Sequence, residues 1–97
     1  MDNQACPLCR NQANFEGHGF QRKHFICDQC GEFIVTRLAE AKLATFPLEW
    51  CLKCATMGKD ADEDSILFIF IPDVVKEPGL GYESLRAEVV PRSQFQL

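Results

Sequence analysis

Six cysteines set as three C-x-x-C pairs are the residues of this chain whose type and spacing point to chemistry. The pairs are Cys6/Cys9, Cys27/Cys30 and Cys51/Cys54. In a C-x-x-C turn the two sulfurs converge while backbone amides point toward the thiolates, and two such turns close a tetrahedron around one ion, with Zn–S bonds of about 2.3 Å. The first two pairs are separated by the 17 residues from Arg10 to Ile26, a spacing at which two hairpin fingers bring distant knuckles together. Cys6, Cys9, Cys27 and Cys30 are therefore read as the ligands of one structural Zn2+. Four thiolates saturate that ion and leave no position at which water could be activated, so the site is expected to hold shape and not to hydrolyse.

The third pair, in Trp50-Cys51-Leu52-Lys53-Cys54, admits three readings. As helical residues, Cys51 and Cys54 are small apolar fillers of a core. A second zinc would need two further ligands, and the chain has two histidines, so Cys51, Cys54, His18 and His24 form a candidate mixed site of two thiolates and two imidazoles. His18 lies between two glycines and His24 follows Arg22 and Lys23, positions of a fingertip more than of a ligand frame. Thirdly, W-C-x-x-C resembles the active-site signature of thioredoxin-like enzymes, which implies a redox pair. That signature belongs where a helix starts directly after a strand, whereas here helix-like sequence and Pro47 precede Trp50.

These cysteines need elements to place them. The two knuckles, with glycines at 17 and 19 and aromatics at 15, 20 and 25 between them, read as a β-hairpin ribbon; Gly31 is free to take the positive φ by which the chain leaves the second knuckle, while Arg10 stands at the matching place in the first. Glu32–Val35 reads as a strand, Thr36 as an N-cap, and a helix is expected from about Arg37, with Ala39, Leu43 and Phe46 recurring at i, i+4 and i+7 beside Leu38. Pro47 ends that helix or starts a second one. In the second, Leu48, Cys51, Leu52 and Ala55 form one apolar stripe, Trp50, Cys54 and Met57 a neighbouring one, and Gly58 is placed as a C′ cap. The acidic connector Asp60–Asp64 leads into Ile66–Ile71, an unbroken apolar run that predicts burial on both faces. Pro72-Asp73 stops the run, Pro78–Gly81 reads as a loop, and Arg86–Val90 returns as a strand before Pro91.

Cys6-Pro7-x-Cys9 followed by Phe25-Ile26-Cys27-x-x-Cys30-Gly31-x-Phe33-Ile34-Val35-Thr36 resembles the zinc-ribbon superfamily over the first third of the chain. The resemblance implies a four-cysteine structural site in a protein of nucleic-acid, regulatory or mobile-element machinery. It names no partner, and residues 37–97 carry no resemblance.

At 97 residues, 46% hydrophobic and 25% charged, the chain is sized for one globular domain, and cores this small often need a metal or other staple. The N-terminus lacks the basic start and apolar run of a secretory signal, and no apolar stretch approaches the roughly 20 residues that span a bilayer; no membrane partner and a cytoplasmic location are expected. A reducing compartment disfavours the alternative of disulfide-linked cysteines. The formal charge of −4 is uneven: residues 1–57 carry six Lys/Arg against six Asp/Glu, residues 58–97 four against eight. Tight non-specific nucleic-acid binding usually needs a basic face, so a protein partner is the leading expectation, either an adaptor's or one inhibited by a nucleic-acid mimic that presents Asp60, Asp62, Glu63 and Asp64 as phage and mobile-element inhibitors do. Direct nucleic-acid binding by Arg10, Arg22, Lys23 and His24, with Phe20 and Phe25 for stacking, is the second reading. Ile66–Ile71 offers a homodimer seam if the helices cover one face of it only.

Taken together, the expected architecture is α+β: a single domain over 1–97 with a zinc-ribbon subdomain at 1–36, two short helices at 37–57 and a β-hairpin at 66–92. No Ser/His/Asp set, phosphate loop or paired carboxylates can be picked out, so no catalytic residue is assigned and a non-enzymatic role is expected.

Overall fold

The computed structural model describes residues 2–17, 19, 21–71 and 85–95. In chain order the elements are β1 (Asp2–Ala5), β2 (Gln12–Gly17), β3 (Arg22–Cys27), β4 (Gly31–Thr36), α1 (Arg37–Leu43), α2 (Leu48–Asp60), β5 (Ser65–Phe70), β6 (Arg86–Pro91) and a 3-10 turn at Arg92–Phe95. The fold is mixed α+β. The six strands of the described residues join one sheet in the order of the sequence: neighbours are antiparallel except β4 and β5, which run parallel because the two helices carry the chain back between them.

Strand alternation gives the sheet two different faces. The register aligns Phe15, Phe25, Phe33 and Leu67 in one row across β2–β5. These residues face the helices, in a core that also holds Val35, Ile69, Ala39, Leu43, Cys51, Cys54 and Ala55. The stacked Phe25 and Phe33 rings, 5.2 Å apart, lie at its centre. The opposite face carries a smaller cluster in which Phe95, from the 3-10 turn, packs against Ile34, Ile66, Phe68 and Val90.

The first helix begins as its sequence predicts: Thr36 is the N-cap, and its Oγ1 accepts a hydrogen bond from the Ala39 amide at 3.2 Å. Pro47 stands at the N-cap of α2, with no side-chain capping bond. Three details depart from the periodicity reading. Leu38, at 73% exposure, and Leu48 and Leu52, at 55% and 49%, face outward, because the helices press a narrow stripe of small residues onto the sheet. Met57 is exposed as well. Gly58 is no C′ cap: α2 continues to Asp60, and the glycine is there because the helix meets the backbone of the second knuckle.

Of the apolar run, Ile66, Leu67 and Ile69 are buried and Phe68, Phe70 and Ile71 partly so. β6 pairs with β5 from Ser65↔Pro91 to Phe70↔Arg86. The Pro72-Asp73 stop and the Pro78–Gly81 loop lie outside the described residues. Among the described residues no helix is long and apolar enough to cross a membrane.

Candidate metal centre

The turn between β1 and β2 holds Cys6 and Cys9, and the turn between β3 and β4 holds Cys27 and Cys30. An antiparallel meander puts these two turns at the same end of the sheet, and that places four thiols together from residues far apart in sequence. All four Sγ atoms lie within 4.8 Å of one another. Cys9 and Cys27 are 3.5 Å apart and Cys6 and Cys30 3.9 Å. A tetrahedron with metal–sulfur bonds of about 2.3 Å has edges of roughly 3.8 Å, so these separations bracket what a single ion requires. Cys6, Cys27 and Cys30 are buried and Cys9 is half-buried.

Each knuckle is fixed by its own backbone. The Cys6 amide donates to the Asn11 carbonyl at 2.6 Å and the Arg10 amide to the Cys6 carbonyl at 2.8 Å. The Leu8 amide points at the Cys6 sulfur from 3.4 Å. Both knuckles end on a residue in the left-handed region, Gly31 at φ 77° and Arg10 at φ 68°. A non-glycine residue there is strained, and the Arg10 side chain makes contacts that a glycine could not. Its guanidinium donates to the Leu43 carbonyl at the end of α1, at 3.4 Å, and faces the Cys51 sulfur.

Four thiols this close cannot all ionise unaided. The hydrogen bond between Cys6 and Cys30 holds the Cys6 thiol down at about 5, with the backbone amides of Leu8 and Cys9 helping against burial. The same bond, then burial, pushes Cys30 far up, and burial pushes Cys27 up. A divalent cation would supply the positive charge that four neighbouring thiolates need.

Cys51 and Cys54 occupy the fourth and seventh positions of α2, both buried. Burial raises both thiols, Cys54 to about 12 with a contribution from Cys51. His24 does not meet them. It lies in a row with Glu16, Ile34 and Phe68 on the sheet face away from the helices, and His18 lies outside the described residues. The His24 ring is buried between two carboxylates, with Nδ1 3.8 Å from Glu16 Oε1 and Nε2 3.5 Å from Glu32 Oε2. Among the described residues, the four-cysteine cluster is the one grouping of three or more Cys, His, Asp or Glu ligand atoms close enough to hold an ion.

The residues named for nucleic-acid contact are likewise dispersed. Phe25 is fully buried, Lys23 bridges Glu40 at 3.2 Å and lies over the Phe15 ring, Arg10 turns to the helices, and Arg22 covers the Phe95 ring on the other face. Phe20 lies outside the described residues. Two features the periodicity missed shape the site's surroundings. The sequence marks Arg10 by its place directly after a C-x-x-C, where Gly31 stands in the other knuckle, but not what its side chain reaches; Gly58 reads as a cap, and its close approach to Cys30 has no sequence signal.

Compared with known proteins, the chain matches no family model, no curated protein and no solved structure.

Proposed function

We propose that this chain is a zinc-ribbon module in which Cys6, Cys9, Cys27 and Cys30 hold one structural Zn2+, and that it works by protein–protein interaction. The observation that carries the metal reading is the convergence of four sulfurs from two hairpin turns at tetrahedral spacing. Zinc suits the all-thiolate donor set and has no geometric demand of its own to conflict with it. With four thiolates bound, the ion supplies cross-linking and charge neutralisation between the two turns, and folding free energy with them.

The interaction reading is supported by the outward side chains of the helical layer. Leu38, Leu48, Leu52 and Met57 are exposed there, and the carboxylates of Asp60, Asp62, Glu63 and Asp64 are exposed at and just after the end of α2. A partner with an apolar patch rimmed by basic groups matches that surface. An adaptor or inhibitor acting on a nucleic-acid-binding protein fits this description, because such proteins carry basic faces.

Two measurements test the reading. Native mass spectrometry of the reduced protein should find one zinc per chain; a protein that arrives and stays metal-free removes the metal half. In gel shifts with DNA and RNA over a salt series, no complex is expected, and a complex weakening steeply with salt would replace the protein-partner reading with a nucleic-acid one.

A further inference from the structure

We propose that helix α2 is a strap whose docking depends on the metal centre: filling the four-thiolate site locks α2 onto the sheet, and emptying it releases α2 ahead of the strands. The inference rests on the zinc reading above and concerns how that site is coupled to the surface the helices present.

Helix α2 meets both knuckles, one toward each end. In its first half the fully buried Cys51 faces Arg10, the strained residue that closes the first knuckle and reaches on to the Leu43 carbonyl. In its second half Gly58 lies against the second knuckle: a Cβ on Gly58 would stand 3.0 Å from the Cys30 carbonyl oxygen, and one on Gly31 would stand 3.6 Å from the Gly58 oxygen. The two backbone positions at which the chain leaves the knuckles are thus the positions that touch α2. Moving one knuckle relative to the other moves both of its supports.

Apart from the knuckles, the helix is held to the sheet mainly by small side chains, with Trp50 half-buried beside them and Leu67 under Gly58. Its buried side chains are Cys51, Cys54 and Ala55, each contributing less buried apolar area than a leucine or phenylalanine would. Its N-terminus lacks a side-chain cap, and a groove of about 420 Å³, lined by Trp50, Lys53, Met57 and Ala87, opens between it and β6. The opposite sheet face has anchors that do not involve α2, one of them on Glu32 directly after the second knuckle. There Phe95 packs with Ile34 and Ile66, Arg92 Nη1 donates to Glu32 at 2.6 Å, and Arg92 Nε donates to the Glu63 carbonyl at 2.8 Å. Without an ion the two turns are tied to each other through the β2–β3 ladder, whose last pair toward them is Asn14↔Ile26. The weakly held helix is therefore the first element to respond, and it carries the exposed Leu48, Leu52 and Met57 with it.

The test uses the full chain under reducing conditions. Cobalt(II) titration followed by visible absorption first establishes whether a tetrathiolate centre forms. Hydrogen exchange is then compared with Zn2+ and after chelation. Zinc is expected to slow exchange across α2 by about tenfold or more while β5 and β6 change far less. The fluorescence of Trp50, which packs edge-on against Phe46 at 5.1 Å, should shift to the red on chelation. Gly58→Ala should keep the cobalt spectrum but leave α2 exchanging as in the metal-free protein; should that variant not fold, Arg10→Ala is expected to show the same separation. No cobalt complex overturns the zinc reading and the strap together. A cobalt complex with α2 exchange unaffected by zinc overturns the strap alone, as does protection lost equally from α2, β5 and β6.

Discussion

Gly58 of α2 and Cys30 of the second knuckle are in backbone contact: a Cβ at position 58 would stand 3.0 Å from the Cys30 carbonyl oxygen and 3.4 Å from Leu67 Cδ2. A glycine inside a helix costs about 1 kcal/mol relative to alanine, and here a side chain would press on the backbone of the second knuckle.

The corresponding prediction has a sign opposite to helix propensity. Gly58→Ala should destabilise the protein by roughly 1–3 kcal/mol, because the atom it meets belongs to backbone and cannot swing away. In a chain of this size that corresponds to a fall in Tm of at least about 4–8 °C, read by thermal denaturation. A rise in Tm would mean that the helix can back away from the knuckle.

Burial separates leucines that look alike in sequence. Leu67 is fully buried between sheet and helices, whereas Leu52 is exposed. Leu67→Ala should cost about 2–5 kcal/mol in urea unfolding, and Leu52→Ser should stay within about 0.5 kcal/mol. Equal losses at the two positions would contradict the orientation of α2.

The far face makes an acid-sensitive contribution. Burial works against the Glu32 carboxylate, but the hydrogen bond and charge of Arg92, with a smaller part from His24, hold it below its ordinary value of 4.5. A carboxylate depressed in the folded state stabilises above its unfolded value and loses that contribution as pH falls through the folded one. Stability should therefore decline below about pH 4.5, and Arg92→Ala should flatten that part of the profile and lower stability near neutrality. An unchanged acid limb in Arg92→Ala would show that Glu32 is held by something else.

Metal loading should release protons. Cys6 is held at about 5 by Cys30, while Cys27 and Cys30 are pushed up, so ligation must take protons from Cys27 and Cys30. Calorimetric titrations of Zn2+ in buffers of different ionisation enthalpy should give heats that depend on the buffer, and affinity should fall as pH is lowered. Buffer-independent heats would contradict this thiol arrangement.

The sequence made local features legible and long-range ones much less so. The knuckles, the Thr36 cap and the strand that precedes it could be read because a few neighbouring residues determine each. The parallel join of β4 to β5 could not, since nothing in Phe33-Ile34-Val35 or Leu67-Phe68-Ile69 says which strand it will pair with. The outward turn of Leu48 and Leu52 followed from the same gap. An apolar stripe shows that a helix has a buried face, but Cys51, Cys54, Ala55 and Gly58 won that face because only small residues let α2 approach the knuckles closely. The scarcity of histidines makes His24 a candidate ligand, but strand alternation puts it on the other side of the sheet from Cys51 and Cys54.

The most direct test of the central claim is the zinc stoichiometry of three reduced proteins by native mass spectrometry: the wild type, Cys27→Ser and the double variant Cys51→Ser/Cys54→Ser. Four converging thiols from the two hairpin turns predict one zinc in the wild type, one in the double variant, and loss or marked weakening in Cys27→Ser. No zinc in the wild type, or zinc that survives Cys27→Ser and disappears with the helical pair, would contradict the account.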